Sequence, residues 1–573
     1  MSTGTWKIRW FHGLLVLVLL ATSLTTALGR DFSAAASQEA QAYTDYVVAR
    51  VYFGSRANLD QLAAFLDIWE VAHTEGYLVA LLSPSNVAQL EQSGYQLEVD
   101  QTQTALLSQH LEALSDPTIE GIPGYTCYRT VEETYATLTS LSLDYPQLAE
   151  LIDIGDSWEK VTPNGPLGYD IFALRLTNEE LGLIDEKPTF FLMAEIHARE
   201  LVTTETATRF AEHLLVNYKI DADITWLLDH YRIYIVAMTN PDGRKFAELG
   251  ELWRKNTNNT NECVDYPYYG TDLNRNHSFH WGEASIDPCN TLYQGPEPDS
   301  EPETDSLQSF ALSLFTDQRG PLDTDAAPFD TTGLLISLHS YSQLVLWPWG
   351  WTDLDSPNHT QLQTLGRRMA YFTDYTPQQA NELYMTTGTT DDWAYGELGI
   401  AAYTYEMGTD FFQDCASFES TIYPDNLQAL LYAFKTARLP YMDPAGPRVI
   451  DLAISQTLVD PGTPVTISAV ADDDLYSENN GREPTQAVNA ARYSIDIPSW
   501  LPGAVTHPLD AVDGNFNADH EDIQAMIDTT GLTAGKHILF VEAMDEGENW
   551  GVPTAIFLNI TGLTTTFIPL LYR

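Results

Sequence analysis

The chain has 573 residues, which is too long for a single hydrophobic core and predicts two to four domains. Its composition, 44% hydrophobic and 11% aromatic, is that of a folded protein and excludes a disordered or fibrous one. There are 28 Lys and Arg against 80 Asp and Glu, so the net charge is −52 and we expect no nucleic-acid partner. The charge favours cationic peptides, or it is only a solvated acidic coat.

The N-terminal residues predict export. Lys7 and Arg9 precede a short apolar run at 13–21, and small residues follow at 27–29. This is the layout of a secretory signal peptide over residues 1–29, and the run is short for a membrane span. An uncleaved anchor is the alternative. We expect a secreted protein with no stable membrane span after signal removal, and its four cysteines predict two disulfides with three possible pairings.

Residues 30–121 predict a small α+β module and a polar linker. The β segments are VVARVYF, IWEVAHTEGYLVALL and YQLEVD, and the helical segments are NLDQLAAFL and SPSNVAQLEQSG. Strands alternating with helices over so short a length indicate a small open sandwich with helices on one face.

Residues 122–440 predict the largest domain. Helical segments such as VEETYATLTSLSLDY alternate there with the apolar segments DIFALRLT, TFFLMAEI, YRIYIVAMT, TGLLISLHS and AAYTYEM. Apolar strands between helices predict an α/β fold whose sheet is covered on both faces. Functional groups in such folds collect at strand ends and in the loops that follow.

Residues 441–562 predict a β-sandwich. Short strands, among them VIDLAIS, PVTISAVA and KHILFVEAMD, are separated there by Gly, Pro, Asp and Asn. Residues 563–573 form a short apolar tail.

The strongest local signal is E-I-H-A-R-E, in which His197 and Glu200 stand three apart after an apolar strand. Imidazole and carboxylate are zinc ligands, and a catalytic zinc site needs three protein ligands and an open position. H-x-x-E alone is a weak signal. His339, after the strand LLISL, is a candidate third ligand, although a lone histidine there is more often a core residue.

Six motifs in order over about residues 122–440 resemble the zinc carboxypeptidases of the A and B type. They are H-A-R-E, L-W-R-K-N, D-L-N-R-N, L-H-S-Y-S-Q, L-Y-M-T-T-G-T-T-D-D-W-A-Y and Y-T-Y-E-M-G. The resemblance implies a mixed sheet covered by helices on both faces and one zinc per chain, held by His197, Glu200 and His339. It implies Glu406 as the catalytic base and Arg254 as the residue that polarises the scissile carbonyl. The substrate contacts it implies are Arg199, Asn274, Arg275, Tyr384 and Asp391.

The implied chemistry is physically consistent. Two neutral imidazoles and one carboxylate leave a zinc ion with net positive charge. Glu406 can accept a proton from the attacking water and pass it to the departing amine. Arg275 with Asn274 offers a planar fork for a free C-terminal carboxylate, which would make the enzyme an exopeptidase.

Substrate preference rests on Asp391, the residue just before the aspartate of D-W-A-Y. The resemblance implies that this position lies at the base of the pocket for the substrate's last side chain. A buried carboxylate there favours Lys or Arg ends. The alternative is a solvated or internally paired Asp391, with broad specificity.

The resemblance also implies a disulfide between Cys263 and Cys289, which flank D-L-N-R-N, and leaves Cys127 and Cys415 to pair. The N-terminal module has the size and position of the family's propeptide, which would make the protein a zymogen. A retained accessory domain is the alternative.

Two other functions stay open. One is a zinc amidohydrolase of the same fold acting on peptidoglycan peptides, and L-W-R-K-N, D-L-N-R-N and Asp391 speak against it. The other is a non-catalytic binding protein, which the complete set of ligands and base argues against. The expected function is therefore a secreted zinc carboxypeptidase whose partners are peptide and protein C-termini.

Overall fold

A computed structural model of the protein describes residues 46–105, 121–263 and 269–562. The predicted signal peptide (1–29) and apolar tail (563–573) lie outside the described residues, as does part of the linker. Within the described ranges, no helix is both long enough and apolar enough to cross a bilayer.

The N-terminal module is built on a four-stranded antiparallel sheet of order β2-β3-β1-β4. Its strands are β1 (Val47–Tyr52), β2 (Asp67–Ala72), β3 (Tyr77–Leu82) and β4 (Gln96–Val99), and its helices are α1 (Arg56–Ala63) and α2 (Pro84–Gln92). Both helices begin at a serine whose hydroxyl accepts a backbone N–H. The long β segment of the sequence folds as two strands because Gly76, at φ 76°, permits a turn between them.

The central domain is built on an eight-stranded sheet of order β11-β10-β12-β9-β7-β8-β6-β5. Its strands are β5 (Ala149–Asp156), β6 (Asp170–Leu176), β7 (Thr189–Ala194), β8 (Arg232–Val236), β9 (Leu334–His339), β10 (Leu344–Trp347), β11 (Thr376–Gln379) and β12 (Ala401–Glu406). Four neighbouring pairs are parallel and three antiparallel, so the predicted mixed sheet is confirmed. β7 and β9 are buried along their whole length, as expected for continuous apolar runs in a covered sheet.

Helices connect and flank these strands. They are α3 (Val131–Asp144), α4 (Trp158–Val161), α5 (Leu201–Asn217), α6 (Ala222–His230), α7 (Pro241–Ala247), α8 (Pro302–Leu314), α9 (His359–Thr373), α10 (Ala380–Leu383), α11 (Thr390–Leu398), α12 (Cys415–Ser417) and α13 (Tyr423–Thr436). Short 3₁₀ turns lie at Ile184–Glu186, Leu273–Arg275 and Asp443–Ala445, and a π turn lies at Phe418–Ile422. The helix predicted from VEETYATLTSLSLDY is α3, which begins with a capping box at Thr130.

The C-terminal region is a β-sandwich, as predicted. Its strands are β13 (Arg448–Ile454), β14 (Leu458–Val459), β15 (Val465–Asp472), β16 (Val488–Ile495), β17 (Thr506–Ala511), β18 (His520–Ile527), β19 (Gly535–Asp545) and β20 (Thr554–Ile560). β17 pairs with β16 and with β18, so it joins the two layers. Alternate residues such as Val465 and Ile467 are buried in a separate apolar core.

Two disulfides crosslink the chain. One joins Cys127 to Cys415 across 288 residues, and the other joins Cys263 to Cys289 across 26 residues. These are the two pairs that the resemblance implies, and the shorter loop contains the D-L-N-R-N motif.

Candidate active site

The candidate metal ligands and base meet at one edge of the central sheet. β7, β9 and β12 are adjacent and parallel, so their carboxyl ends lie side by side. His339 ends β9, Glu406 ends β12, and the two residues are directly paired in register. His197 and Glu200 lie in the turn between β7 and α5, where Glu195 takes the left-handed conformation (φ 54°) that redirects the chain.

His197, Glu200 and His339 are buried and offer ligand atoms that all lie within 4.8 Å of one another. His197 Nδ1 is 2.7 Å from Glu200 Oε1 and 3.2 Å from His339 Nδ1, so both imidazoles present Nδ1 to the same point. Burial acts to raise the pKa of Glu200, but the two neighbouring imidazoles outweigh it and hold that pKa below its usual range. The carboxylate is therefore ionised, as a ligand must be.

The outer nitrogens of the two imidazoles are also held. His197 Nε2 lies 3.1 Å from Asp272 Oδ1, and His339 Nε2 lies 3.1 Å from Ser337 Oγ. Zinc-binding histidines use their second nitrogen in this way, which fixes the ring and the tautomer. Two imidazoles, one carboxylate and their outer partners fit a zinc ion with an open fourth position.

Asp272 also orients Arg254. The guanidinium donates to Asp272 Oδ2 through Nε at 3.0 Å and Nη2 at 2.8 Å, which leaves Nη1 facing the cluster, 3.3 Å from His197 Nδ1. Burial works to raise the pKa of Asp272, but Arg254 and His197 lower it far below its usual range. The ionised carboxylate of Asp272 thus holds in place both a candidate zinc ligand, His197, and the positive charge of Arg254 beside it.

Glu406 faces the same cavity as the candidate ligands. Burial, with the nearby Glu200 carboxylate second, raises the pKa of Glu406 well above its usual range, while Arg254 and Arg275 oppose this. A raised proton affinity suits a group that accepts a proton during the reaction.

Arg275 and Asn274 line the cavity on another side. The Oδ1 atom of Asn274 accepts from the backbone N of Thr390 at 2.9 Å and from its hydroxyl at 3.1 Å. His277 Nε2 lies 2.9 Å from the same hydroxyl, and burial lowers the pKa of His277 to about 3, so the ring is neutral. Because the hydroxyl gives its one proton to Asn274 Oδ1, it can only accept from His277 Nε2. With Oδ1 occupied, the NH₂ end of Asn274 is free to donate beside Arg275.

Asp391 lies in the wall of the same cavity and is 3% exposed. Its Oδ1 accepts from the backbone N of Asp392 at 3.0 Å, and no cationic side chain of the described residues forms an ion pair with it. The neighbouring Asp392 points elsewhere and accepts from the backbone N–H groups of Gly350 and Trp351. Burial raises the pKa of Asp391.

The N-terminal module lies over this cavity, with residues of β2 contributing to its wall. Both oxygens of Asp67 bind the guanidinium of Arg199, at 2.6 and 2.7 Å. Ser342 Oγ donates to Trp69 O at 3.0 Å, and Tyr384 packs against the apolar core of the module. Arg199, predicted to contact substrate, is therefore occupied by a carboxylate of the module.

The structure brings together every residue predicted from the sequence for this site and adds three that sequence reasoning missed. Asp272 is the first residue of D-L-N-R-N, so its position close to Asn274 and Arg275 is a sequence signal that could have identified it. His277 directly follows the same motif, and no sequence pattern marks it as functional. Asp67 begins β2 and contacts a residue 132 positions away, which no local pattern reveals.

Comparison with known proteins agrees with this geometry. The family model described as "Zinc carboxypeptidase" matches residues 134–429. Zinc carboxypeptidase A 1 of Anopheles gambiae is 30% identical over 428 residues, covering 70% of this chain and 88% of that protein. Carboxypeptidase B of Astacus astacus is 34% identical over 295 residues, covering 49% of this chain and 87% of that protein.

A solved structure shows the same fold. The carboxypeptidase A of Helicoverpa armigera superposes with a TM-score of 0.55 at 24% sequence identity. The match covers 70% of this chain and 98% of that one, so it extends beyond the central domain.

Proposed function

Because the chain belongs to the zinc carboxypeptidase family, we propose that it removes the last residue of peptides and proteins and prefers Lys or Arg there. The observation that carries the preference is Asp391, a buried carboxylate in the cavity wall with no cationic partner among the described residues. Burying a carboxylate charge without a partner costs desolvation energy, so a cationic substrate side chain that pairs with Asp391 would offset that cost.

In this proposal His197, Glu200 and His339 hold the single zinc ion of the family. When bound, zinc acts as a Lewis acid and lowers the pKa of water, which supplies a nucleophile at neutral pH. Asp272 holds the His197 ring, and Ser337 holds the His339 ring, in the orientation that presents Nδ1.

Glu406 is the proposed proton carrier. It accepts a proton from the attacking water and returns it to the amine that leaves, so one carboxyl group serves both steps. Arg254 Nη1 faces the cluster from a guanidinium fixed by Asp272, so a positive charge is already in place where the carbonyl oxygen gains charge. A preorganised charge in a buried site stabilises a transition state more than one in water.

Arg275 and Asn274 select for a chain end. Asn274 presents its NH₂ group because Thr390 occupies its oxygen, and Arg275 adds a planar cation. Both groups only donate, and they match a free carboxylate but not an internal amide. The last peptide bond is therefore the bond that reaches Glu406.

The ligand and base roles are tested by two variants with metal analysis. We expect Glu406→Gln to keep one zinc per chain while activity falls by orders of magnitude, because Glu406 is a base and not a ligand. His339→Ala should lose most of its zinc affinity, since two ligands cannot complete the site. Zinc loss in the first variant, or unchanged affinity in the second, would contradict the assignment.

The specificity is tested with blocked peptides that differ only in the last residue. A charge-assisted hydrogen bond contributes about 1.5–3 kcal/mol, or roughly one to two decades in kcat/KM. Asp391→Ala should lose that factor on Lys and Arg ends and keep or gain activity on Leu and Phe ends. Asp391→Asn is the matched variant that keeps the shape.

The salt dependence of the preference for basic ends distinguishes a contact with Asp391 from attraction by the diffuse surface charge. The net charge of −52 also attracts cationic peptides, but that attraction is screened within about 10 Å at 0.1 M salt. A preference for basic ends that survives high salt supports Asp391. If the wild type shows no such preference at high salt, the pocket role is wrong and a broad carboxypeptidase remains.

We also propose that the protein is secreted and latent. Paired cysteines suit an oxidising compartment, in keeping with the signal peptide predicted at residues 1–29. The module lies over the cavity, and Asp67 occupies Arg199, so a peptide cannot enter while the module is docked.

A further inference from the structure

One loop of the β-sandwich reaches the back of the candidate active site. Residues 473–486, here called the sandwich loop, join β15 to β16 and contact the segment that runs from the end of α9 to Tyr384. That segment contains β11 and α10 and contributes Leu383 and Tyr384 to the cavity wall.

The loop is anchored firmly on α9. Glu483 accepts from Thr364 Oγ1 at 2.6 Å and from Arg367 Nη1 at 2.7 Å. Arg368 is completely buried; its guanidinium lies 3.5 Å from the centre of the Tyr476 ring and donates to Asp473 Oδ1 at 3.2 Å. Buried, charge-assisted contacts of this kind are rigid, so the rest of the loop is presented in a fixed position.

The first arm of the loop holds the end of α9. Asn479 Nδ2 donates to Asp374 O at 2.7 Å, to Asp374 Oδ1 at 3.0 Å and to Tyr375 O at 3.3 Å. Ser477 Oγ also donates to Tyr375 O at 3.3 Å. Asp374 has φ 57°, a left-handed conformation that non-glycine residues keep only where their surroundings enforce it.

Tyr375 connects the sandwich loop to the strand that carries the candidate base, Glu406. Its ring is 3% exposed, and its hydroxyl accepts from the backbone N of Gly408 at 3.1 Å. Gly408 stands two positions after Glu406, at the point where the chain leaves β12. The chain of contacts from Asn479 through Tyr375 therefore fixes the exit of the strand that carries Glu406.

The second arm of the loop reaches the start of α10. Asn480 Nδ2 donates to Glu382 Oε2 at 3.2 Å, while Glu382 Oε1 accepts from the backbone N of Gln379 and caps the helix. α10 is only four residues long and leads directly into Tyr384, so its position depends on such end contacts.

We propose that the β-sandwich completes the active-site scaffold, with Asn479 positioning Glu406 through Tyr375 and Asn480 positioning Tyr384 through Glu382. The inference rests on the proposed function for what Glu406 and Tyr384 do. It adds a role for a domain whose own residues lie outside the cavity. Asn479 and Asn480 are positioning residues and do not touch substrate.

The two arms predict different kinetic effects. Asn479→Ala and Tyr375→Phe should lower kcat about 3- to 10-fold with KM nearly unchanged, because a displaced base slows chemistry. Asn480→Ala should instead raise KM about 3- to 10-fold, because a loosened Tyr384 segment weakens substrate contact. Glu478→Ala is the matched control, since Glu478 lies in the same loop and, within the described residues, its one ion pair is with the exposed Arg482.

The assays use the full chain carrying Asp67→Ala in the parent and in every variant, so that the covering module limits the rates less and to the same starting extent. Hydrogen exchange of the full chain is the second readout and needs no activity. Asn479→Ala should speed exchange in residues 374–384 and 407–409, and Glu478→Ala should not.

The outcomes separate the two proposals. If the parent protein hydrolyses no peptide, the proposed function fails while hydrogen exchange still decides whether the loop supports the segment. Equal exchange in Asn479→Ala and the control overturns the scaffold role. The scaffold role is also overturned if the variants melt at a lower temperature with no change in kcat or KM. It is overturned as well if Asn479→Ala and Asn480→Ala change kcat and KM in the same way.

Discussion

The ion pair between Asp67 and Arg199 provides a sharp test of latency. The two side chains are 5% and 1% exposed, and both carboxylate oxygens bind the guanidinium. Burial works to raise the pKa of Asp67, but Arg199 lowers it below its usual range, so the pair is ionised. Asp67→Ala leaves Arg199 as a buried, uncompensated cation whenever the module is docked.

The size of the effect follows from that burial. Removing one partner of a buried ion pair costs about 3–5 kcal/mol, and each 1.4 kcal/mol changes an equilibrium about tenfold. Docking should therefore weaken by roughly two to three and a half decades. Other contacts remain, including Arg56 to Glu382 O at 2.9 Å and Asn290 to Phe65 O at 2.9 Å, so part of the population stays covered.

The assay is hydrolysis of a blocked peptide by zinc-loaded full-length protein. We expect Asp67→Ala to raise the rate about tenfold or more, since the open fraction grows with the loss of docking energy. Glu98→Ala is the control, because it removes an exposed ion pair with Arg50 on the same module. If Asp67→Ala binds zinc, stays folded and is no faster than wild type, the module does not restrain the enzyme through this contact.

Three further predictions follow from buried groups around the site. Asp272→Asn should weaken zinc binding about 10- to 100-fold in a metal titration, because the His197 ring loses its carboxylate partner. His277→Leu should raise KM for free C-termini without loss of zinc, because Thr390 loses a donor and the clamp amide is no longer fixed. Burial raises the pKa of Glu303 from 4.5 to about 8, so the contribution of Glu303 to the free energy of unfolding is greatest below pH 4.5 and declines up to pH 8 by at most roughly 5 kcal/mol. Glu303→Gln should flatten that decline in melting temperature against pH.

The sequence allowed us to expect that the candidate metal ligands lie close together, for a physical reason. His197, Glu200 and His339 each follow a long apolar run, and such runs become adjacent parallel strands whose carboxyl ends meet. The sequence also indicated the three regions through shifts in patterning, from a small α+β module to a long α/β region and then to short β strands.

Short and polar elements were not predicted. β10 and β11 have four residues each, and β11 is TPQQ, which contains a proline and carries no β signal. β11 forms because α9 and the sandwich loop place it against β10. Its existence depends on tertiary contacts rather than on local propensity.

Contacts between distant segments were also beyond sequence reasoning. The Asp67–Arg199 pair joins residues 132 apart, and Asn480 and Glu382 are 98 apart. Neither Asp67 nor Asn480 belongs to a motif, because each acts through a single charged or polar contact that only the packing of domains creates.

We propose above all that the cavity accepts a free C-terminus with a basic last residue. It is tested most directly by mass spectrometry of one peptide ending in Lys, supplied as the free acid and as the amide. The enzyme is the zinc-loaded protein with and without Asp67→Ala. We expect loss of the terminal Lys from the acid and an intact amide, because Arg275 and Asn274 offer only donors to the chain end. Internal cleavage, or equal hydrolysis of the acid and the amide, would contradict it.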